Sequence, residues 1–209
     1  MTEDRSTVFV VDDDASLRKA LQRLIRSAGY ASDTYDSAQA FLEGKKAGSP
    51  RCLILDVQMP GLSGLDLQRE MLARDLYMPV IFLTGHGTVP MSVRAMKSGA
   101  EDFLTKPVDE KRLFPAIEAA LRKDVQERAE RAEREDIQRR LDALTPREYE
   151  VLVLAITGML NKQIAADMGT SEKTVKVHRA RVMHKMEAGS LAELVRLAEH
   201  AGISSGQNS

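Results

Sequence analysis

The first half of the chain alternates short apolar runs with amphipathic stretches. TVFVV at 7–11 is a β-branched run, and Leu17, Ala20, Leu21, Leu24, Ile25 and Ala28 recur at three- and four-residue steps on one helix stripe that Gly29 closes. The pattern then predicts a weak strand near 31–35, a helix near 37–46, a strand CLIL at 52–55, a helix near 64–74 and a strand PVIFL at 79–83. A helix near 89–98, a short strand DFL at 102–104 and a helix opening near 109 complete five βα units. Continuously apolar strands predict a parallel sheet covered on both faces, the doubly wound α/β class.

Residues 122–142 differ in kind: 14 of the 21 are charged and none is proline or glycine. Glu127/Arg131, Glu130/Arg134, Glu135/Arg139 and Asp136/Arg140 are acid-first i,i+4 pairs, which predicts an exposed helical linker rather than a flexible one. A helix of this length spans about 30 Å. Ile117, Leu121, Val125, Ala129, Ala132, Ile137, Leu141 and Leu144 give it a thin apolar seam, read either as a solvated helix or as a self-pairing coil with alanine as a poor anchor.

The last third is helical and well punctuated, an all-α four-helix domain over 143–202. Thr145-Pro146-Arg147-Glu148 is a capping box with proline at the first helical position, and Gly158 closes that helix. Asn161 is expected to cap a second helix that Gly169 stops, Ser171 a third through Met186, and Ser190 with Glu193 a fourth to about Ala201. The tail 203–209 is expected to be disordered.

Composition narrows the classes. With 209 residues, 43% apolar and 29% charged, the chain fits two modest folded domains, 1–121 and 143–202. No apolar run approaches the ~20 residues of a bilayer span, and MTEDRSTVFVVDDD is charged where a signal peptide is apolar, so no membrane association and a cytoplasmic location are expected. One cysteine, Cys52, excludes an internal disulfide and reads as a small buried hydrophobe. The net charge is −1, yet residues 171–186 carry Lys173, Lys176, Arg179, Arg181 and Lys185 against Glu172 alone. A neutral bulk with one basic helix predicts a specific contact surface.

Ligands of an open parallel sheet lie beyond the carboxyl ends of its strands. Here the first strand runs into Asp12-Asp13-Asp14, the third into Asp56, the fourth into Thr84 and the fifth into Lys106-Pro107. With the first and third strands adjacent, three carboxylates share one small site. Their repulsion is relieved by shifted protonation or by a hard divalent cation, for which Mg²⁺ suits the oxygen shell. Such a site suits phosphoryl chemistry: Asp56 the nucleophile, Mg²⁺ and Lys106 neutralising charge, Thr84 bonding a phosphoryl oxygen. Residues 161–168, a tight break and 171–186 have helix-turn-helix proportions. Val175, His178, Val182 and Met186 form the packing stripe of the second helix. Lys173, Lys176, Val177, Ala180 and His184 form the opposite one. Val177 and Ala180 suit thymine methyls in a major groove and Lys176 base edges, with Lys162, Thr174, Arg181 and Lys185 on phosphates.

VFVVDDD, LILDVQMPGLSG, VIFLTGHG and AEDFLTKPV resemble the receiver domain of two-component response regulators, and LTPREYEVL, GMLNKQIAADM and SEKTVKVHRARVMHKM resemble the LuxR-type helix-turn-helix of the FixJ/NarL family. The resemblance implies a flavodoxin-like strand order 2-1-3-4-5 and Asp56 as phosphoacceptor from a sensor histidine kinase. It also implies Asp12, Asp13, Asp56 and the Gln58 carbonyl around Mg²⁺ (Mn²⁺ or Ca²⁺ in vitro), and Phe103 as an aromatic switch. It places Lys176, Val177 and Ala180 on base-facing positions, His178 in the packing, and 190–201 as a dimerisation helix. The expected function is transcription regulation, as an activator, by phosphorylation-driven homodimerisation on double-stranded promoter DNA, with RNA polymerase a further partner. No enzymatic turnover beyond slow self-dephosphorylation is expected. His86 falls at the pocket rim, where it could modulate that loss. Pro115 lacks an amide for the Lys111 carbonyl, which predicts a kink that reshapes the family's dimer face. An aspartyl-phosphate hydrolase and a protein-binding adaptor are the rival classes; neither gives 171–186 a comparable role.

Overall fold

The computed structural model describes residues 6–44, 50–85, 96 and 99–203. The strands are β1 (Thr7–Val11), β2 (Ala31–Tyr35), β3 (Arg51–Asp56), β4 (Val80–Thr84) and β5 (Asp102–Thr105). The helices of the same unit are α1 (Ala15–Ser27), α2 (Ala38–Glu43) and α3 (Gly64–Ala73), followed by the long α4 (Glu110–Asp142). Of the helix expected near 89–98 only Met96, which is helical, is among the described residues, and His86 lies outside them. All strand pairs are parallel, in the order β2-β1-β3-β4-β5.

Side chains of a strand alternate between faces, and the two cores follow that alternation. Phe9, Val11, Leu53, Leu55 and Phe82 pack with Phe41 of α2 and Leu67 and Met71 of α3. Val8, Val10, Ile54, Ile81 and Leu83 pack with Leu21 and Ile25 of α1 and Leu113 and Ile117 of α4. Cys52 is fully buried in this second layer, and burial pushes its thiol far up, so it acts as a small apolar residue. Val11 pairs with Leu55 across β1 and β3; one residue on, the same register sets Asp12 beside Asp56.

α4 runs unbroken through Pro115. Pro115 and Lys111 are both exposed, so water can take the hydrogen bond that the proline denies to the Lys111 carbonyl. The charged segment is shared between two compact units that divide between Arg128 and Ala129. On the first side Asp124, buried, accepts the Arg51 amide of β3 at 3.0 Å and pairs with Arg128 Nε at 3.0 Å. On the second side Ile137 and Leu141 enter the core of the C-terminal helices. The apolar seam is thereby consumed at both ends: Ile117, Leu121, Ile137 and Leu141 are buried, leaving Val125, Ala129 and Ala132 exposed. That remnant is too short and too rich in alanine for a self-pairing coil.

The C-terminal unit adds α5 (Pro146–Ile156), α6 (Asn161–Asp167), α7 (Glu172–Lys185) and α8 (Leu191–His200). Thr145 and Glu148 make the expected capping box, and Ser171 caps α7 through the Thr174 amide at 3.1 Å. Two caps differ from expectation. Asn161 is the first residue of α6 rather than its cap; the Gln163 side chain instead accepts the Leu160 amide at 2.7 Å, and Asn161 Oδ1 accepts Arg179 Nη1 at 3.0 Å. Ser190 accepts the Glu193 amide, but Glu193 turns back one residue further, to the Gly189 amide at 2.9 Å. Ile203, expected in the disordered tail, donates its amide to Ala198 at 2.9 Å and packs on the core of this unit.

Candidate functional site

The three consecutive acids after β1 separate by backbone direction. Asp14 is the N-cap of α1: its Oδ1 accepts the Ser16 amide at 2.7 Å and the Leu17 amide at 3.2 Å, and these bonds hold its carboxyl below the usual range. Asp12 and Asp13 instead converge on Asp56, with one carboxylate oxygen of each within 4.8 Å of the others. Asp12 is fully buried, Asp56 nearly so, and Asp13 exposed. Asp12 Oδ1 accepts the Asp14 amide at 2.9 Å, and Arg18 Nη1 donates to the Asp12 carbonyl at 2.6 Å. Arg18 is a contributor that motif reading missed, although its position one turn into α1 points it back at the strand end.

Lys106 closes the pocket. Its Nζ donates to Asp12 Oδ2 at 2.7 Å and to Asp56 Oδ2 at 2.8 Å, while its own amide donates to the Thr84 carbonyl at 2.7 Å. The Lys106–Pro107 peptide is cis. Burial pushes the Asp12 carboxyl above its ordinary value, against the pull of the Lys106 ammonium and the Asp14 amide. Burial alone would lower Lys106, but its bonds to Asp12 and Asp56 outweigh that and hold the ammonium above the usual lysine value. The Gln58 amide donates to Asp56 Oδ1 at 3.2 Å. Thr84 is fully buried at the end of β4, and Phe103 is half-buried opposite Phe82, on the side of the sheet that Phe9 and Phe41 occupy. The site can present one carboxylate to an electrophile while an ammonium stands ready for the charge that arrives.

On the second unit α7 buries Val175 and Val182, together with its C-cap Met186, and half-buries His178, as its packing stripe requires. Lys173, Thr174, Lys176, Val177, Ala180 and Arg181 are exposed, as is Lys162 on α6; Val177 is 45% exposed. Lys185 departs from that set. Its Nζ donates to Glu148 Oε2 at 2.6 Å and to the Ala143 carbonyl at 2.9 Å, so two of its three donors are spent inside the unit. The Lys185 ammonium, with the Thr145 amide, holds the buried Glu148 carboxyl at about 2, down from 4.5. A depressed folded-state value contributes stability that is present above pH 4.5 and lost as the pH falls toward 2. Lys185→Met should therefore destabilise the C-terminal helices by roughly 2 kcal/mol at neutral pH and flatten their unfolding profile below pH 4.5; urea melts across that range read both effects.

Two family models match the chain: the response regulator receiver domain over residues 8–118, and the bacterial regulatory proteins of the luxR family over 142–198. The chain is a response regulator of the FixJ/NarL type. This response regulator is 45% identical over 200 residues to nodulation protein W of Bradyrhizobium diazoefficiens, covering 96% of this chain and 88% of that one. It is also 45% identical over 196 residues to the transcriptional regulatory protein FixJ of the same organism, covering 94% and 96%. Among solved structures it resembles the response regulator StyR, with a TM-score of 0.83 at 47% identity over 93% of this chain and 98% of that one. The family regulates transcription through a DNA-binding domain of the LuxR helix-turn-helix type, and no helix of the described residues is long and apolar enough to cross a membrane.

Proposed function

We propose that this response regulator takes a phosphoryl group from a sensor histidine kinase onto Asp56 and, once phosphorylated, pairs and binds a two-half-site promoter as an activator. The observation that carries the reading is Lys106 bridging Asp12 and Asp56 at the carboxyl end of the sheet. Asp56, oriented through Oδ1 by the Gln58 amide, attacks phosphorus as the donor's phosphorus–nitrogen bond breaks. Lys106 then follows the negative charge to the phosphoryl oxygens, with the Thr84 hydroxyl as a second donor. An all-oxygen set of three clustered carboxylates, two of them buried, fits a hard dication: Asp12, Asp13 and Asp56, with the Gln58 carbonyl, would hold Mg²⁺. When bound, it neutralises charge on the transferring group, and Mn²⁺ or Ca²⁺ can replace it in vitro. Phe103 switches with Thr84 as the phosphoryl group draws the hydroxyl inward, and slow hydrolysis of the acyl phosphate resets the pocket. Such a regulator works where the chromosome is, in the bacterial cytoplasm, and an activator's onward partner is RNA polymerase.

On DNA, Lys173, Lys176, Val177 and Ala180 of α7 face the major groove, with Lys162, Thr174 and Arg181 on phosphates. The exposure of Val177 favours this face over a merely solvated one. Filter binding at two salt concentrations tests the reading. Phosphorylation by acetyl phosphate should tighten binding, and Lys176→Ala should flatten base preference, costing about 1–3 kcal/mol on the preferred duplex. Equal loss on every sequence would reduce Lys176 to a phosphate contact, and no DNA binding at all would favour an adaptor.

A further inference from the structure

Two helices of the C-terminal unit end beside each other, and each ends on a cation supplied by the other. The last carbonyls of a helix have no partner within it and carry the negative end of its dipole, so two carboxyl ends brought together repel unless something caps them. At the end of α7, the Met186 carbonyl accepts Arg140 Nη1 of α4 at 3.0 Å. The other terminal nitrogen of that guanidinium, Nη2, reaches Glu187 at 3.0 Å and Asp136 at 2.5 Å. At the end of α4, the Ala143 carbonyl accepts Lys185 Nζ of α7 at 2.9 Å. Beneath this exchange of caps Ile137 and Leu141 of α4 share a core with Val182 and Met186 of α7. A planar guanidinium with both arms engaged fixes direction as well as distance.

We propose that Arg140 is a positioning residue for DNA recognition: the final turns of the long helix belong functionally to the DNA-reading unit, and Arg140 sets the direction in which α7 presents Lys176, Val177 and Ala180. The inference rests on α7 being the reading helix, as proposed above. Base-edge contacts depend on placement within a groove, whereas phosphate contacts adapt to small rotations. Loss of Arg140 therefore costs specific binding far more than non-specific binding.

The test uses the full chain, phosphorylated with acetyl phosphate, and two duplexes: one enriched by the wild type from a random pool and a scrambled version of it. Arg140→Ala should bind the enriched duplex about tenfold more weakly and the scrambled one within about twofold, with an unchanged salt slope. Arg140→Lys, which keeps the charge and a donor for Met186 but loses the planar fork, should recover only part of the loss, binding the enriched duplex about fivefold more weakly than wild type. Glu187→Gln, a milder lesion at an exposed side chain, should show the same selective loss at about twofold if Arg140→Ala folds poorly. Equal losses on both duplexes would make Arg140 merely structural, a salt slope lower by about one would make it a phosphate contact, and an unchanged affinity would remove it from recognition; each overturns the proposal. A wild type that enriches no sequence would overturn the reading helix and the inference together, while enrichment with an unaffected Arg140→Ala overturns the inference alone.

Discussion

Asp56→Asn should take up no label from acetyl phosphate, a loss of more than about 100-fold, while the sheet remains folded. An amide offers no anionic oxygen to attack phosphorus, yet it has the same shape and can still accept the Gln58 amide. Two changes in stability oppose each other: Lys106 loses one of its two carboxylate partners, and Asp12 and Asp13 lose a like-charged neighbour. The net change should be within about 1 kcal/mol, read by urea unfolding beside the labelling assay. Undiminished labelling of a well-folded Asp56→Asn chain would place the nucleophile elsewhere.

Gly64→Ala should be the most disruptive alanine substitution among the described glycines of the receiver unit. Gly64 opens α3 and donates its amide to the Val57 carbonyl at 3.0 Å, and a Cβ there would lie 2.2 Å from the Asp56 carbonyl oxygen. The obstacle is backbone, which has no rotamer to move into, so either α3 swings outward or the end of β3 yields. Both displace the segment that aims the Asp56 carboxylate. A destabilisation of about 3 kcal/mol is expected, together with a drop in acetyl-phosphate labelling larger than the unfolded fraction explains. Circular dichroism melts and labelling below the melting temperature separate the two. A variant of wild-type stability and labelling rate would show that the entry to α3 is soft.

Periodicity and strand ends carried the receiver. The β-branched run and the Gly29 stop place β1 and α1 close to where they form, because a fully buried parallel strand leaves a nearly continuous apolar run, whereas β2, ASDTY at the sheet edge, is polar and only weakly marked. Asp56 and Thr84 were legible for the same reason, each being the first polar residue after such an apolar run, whereas Lys106 follows the short β5 after Thr105. What stayed hidden depends on direction rather than identity. Asp12, Asp13 and Asp14 are alike in sequence, and only the turn into α1 makes Asp14 a cap and leaves the other two for the pocket. Lys185 reads as one more cation on a basic helix until the fold brings Glu148 and Ala143 beneath it. Arg140 was hidden by its surroundings, since a charged run suggests solvent and only tertiary contact shows that the last turn of α4 meets the end of α7. The boundary near 121 was drawn where composition changes, but hydrogen bonding within a helix ignores composition, so α4 continues to Asp142.

The central claim is tested most directly by trapping the phosphorylated residue. Borohydride reduces an acyl phosphate to an alcohol, turning a phosphorylated aspartate into homoserine that peptide mass spectrometry can locate. After acetyl phosphate treatment with Mg²⁺, homoserine should appear at position 56 and should vanish when the dication is chelated. Homoserine at any other carboxylate, or equal modification of Asp56 with and without the dication, would contradict the account.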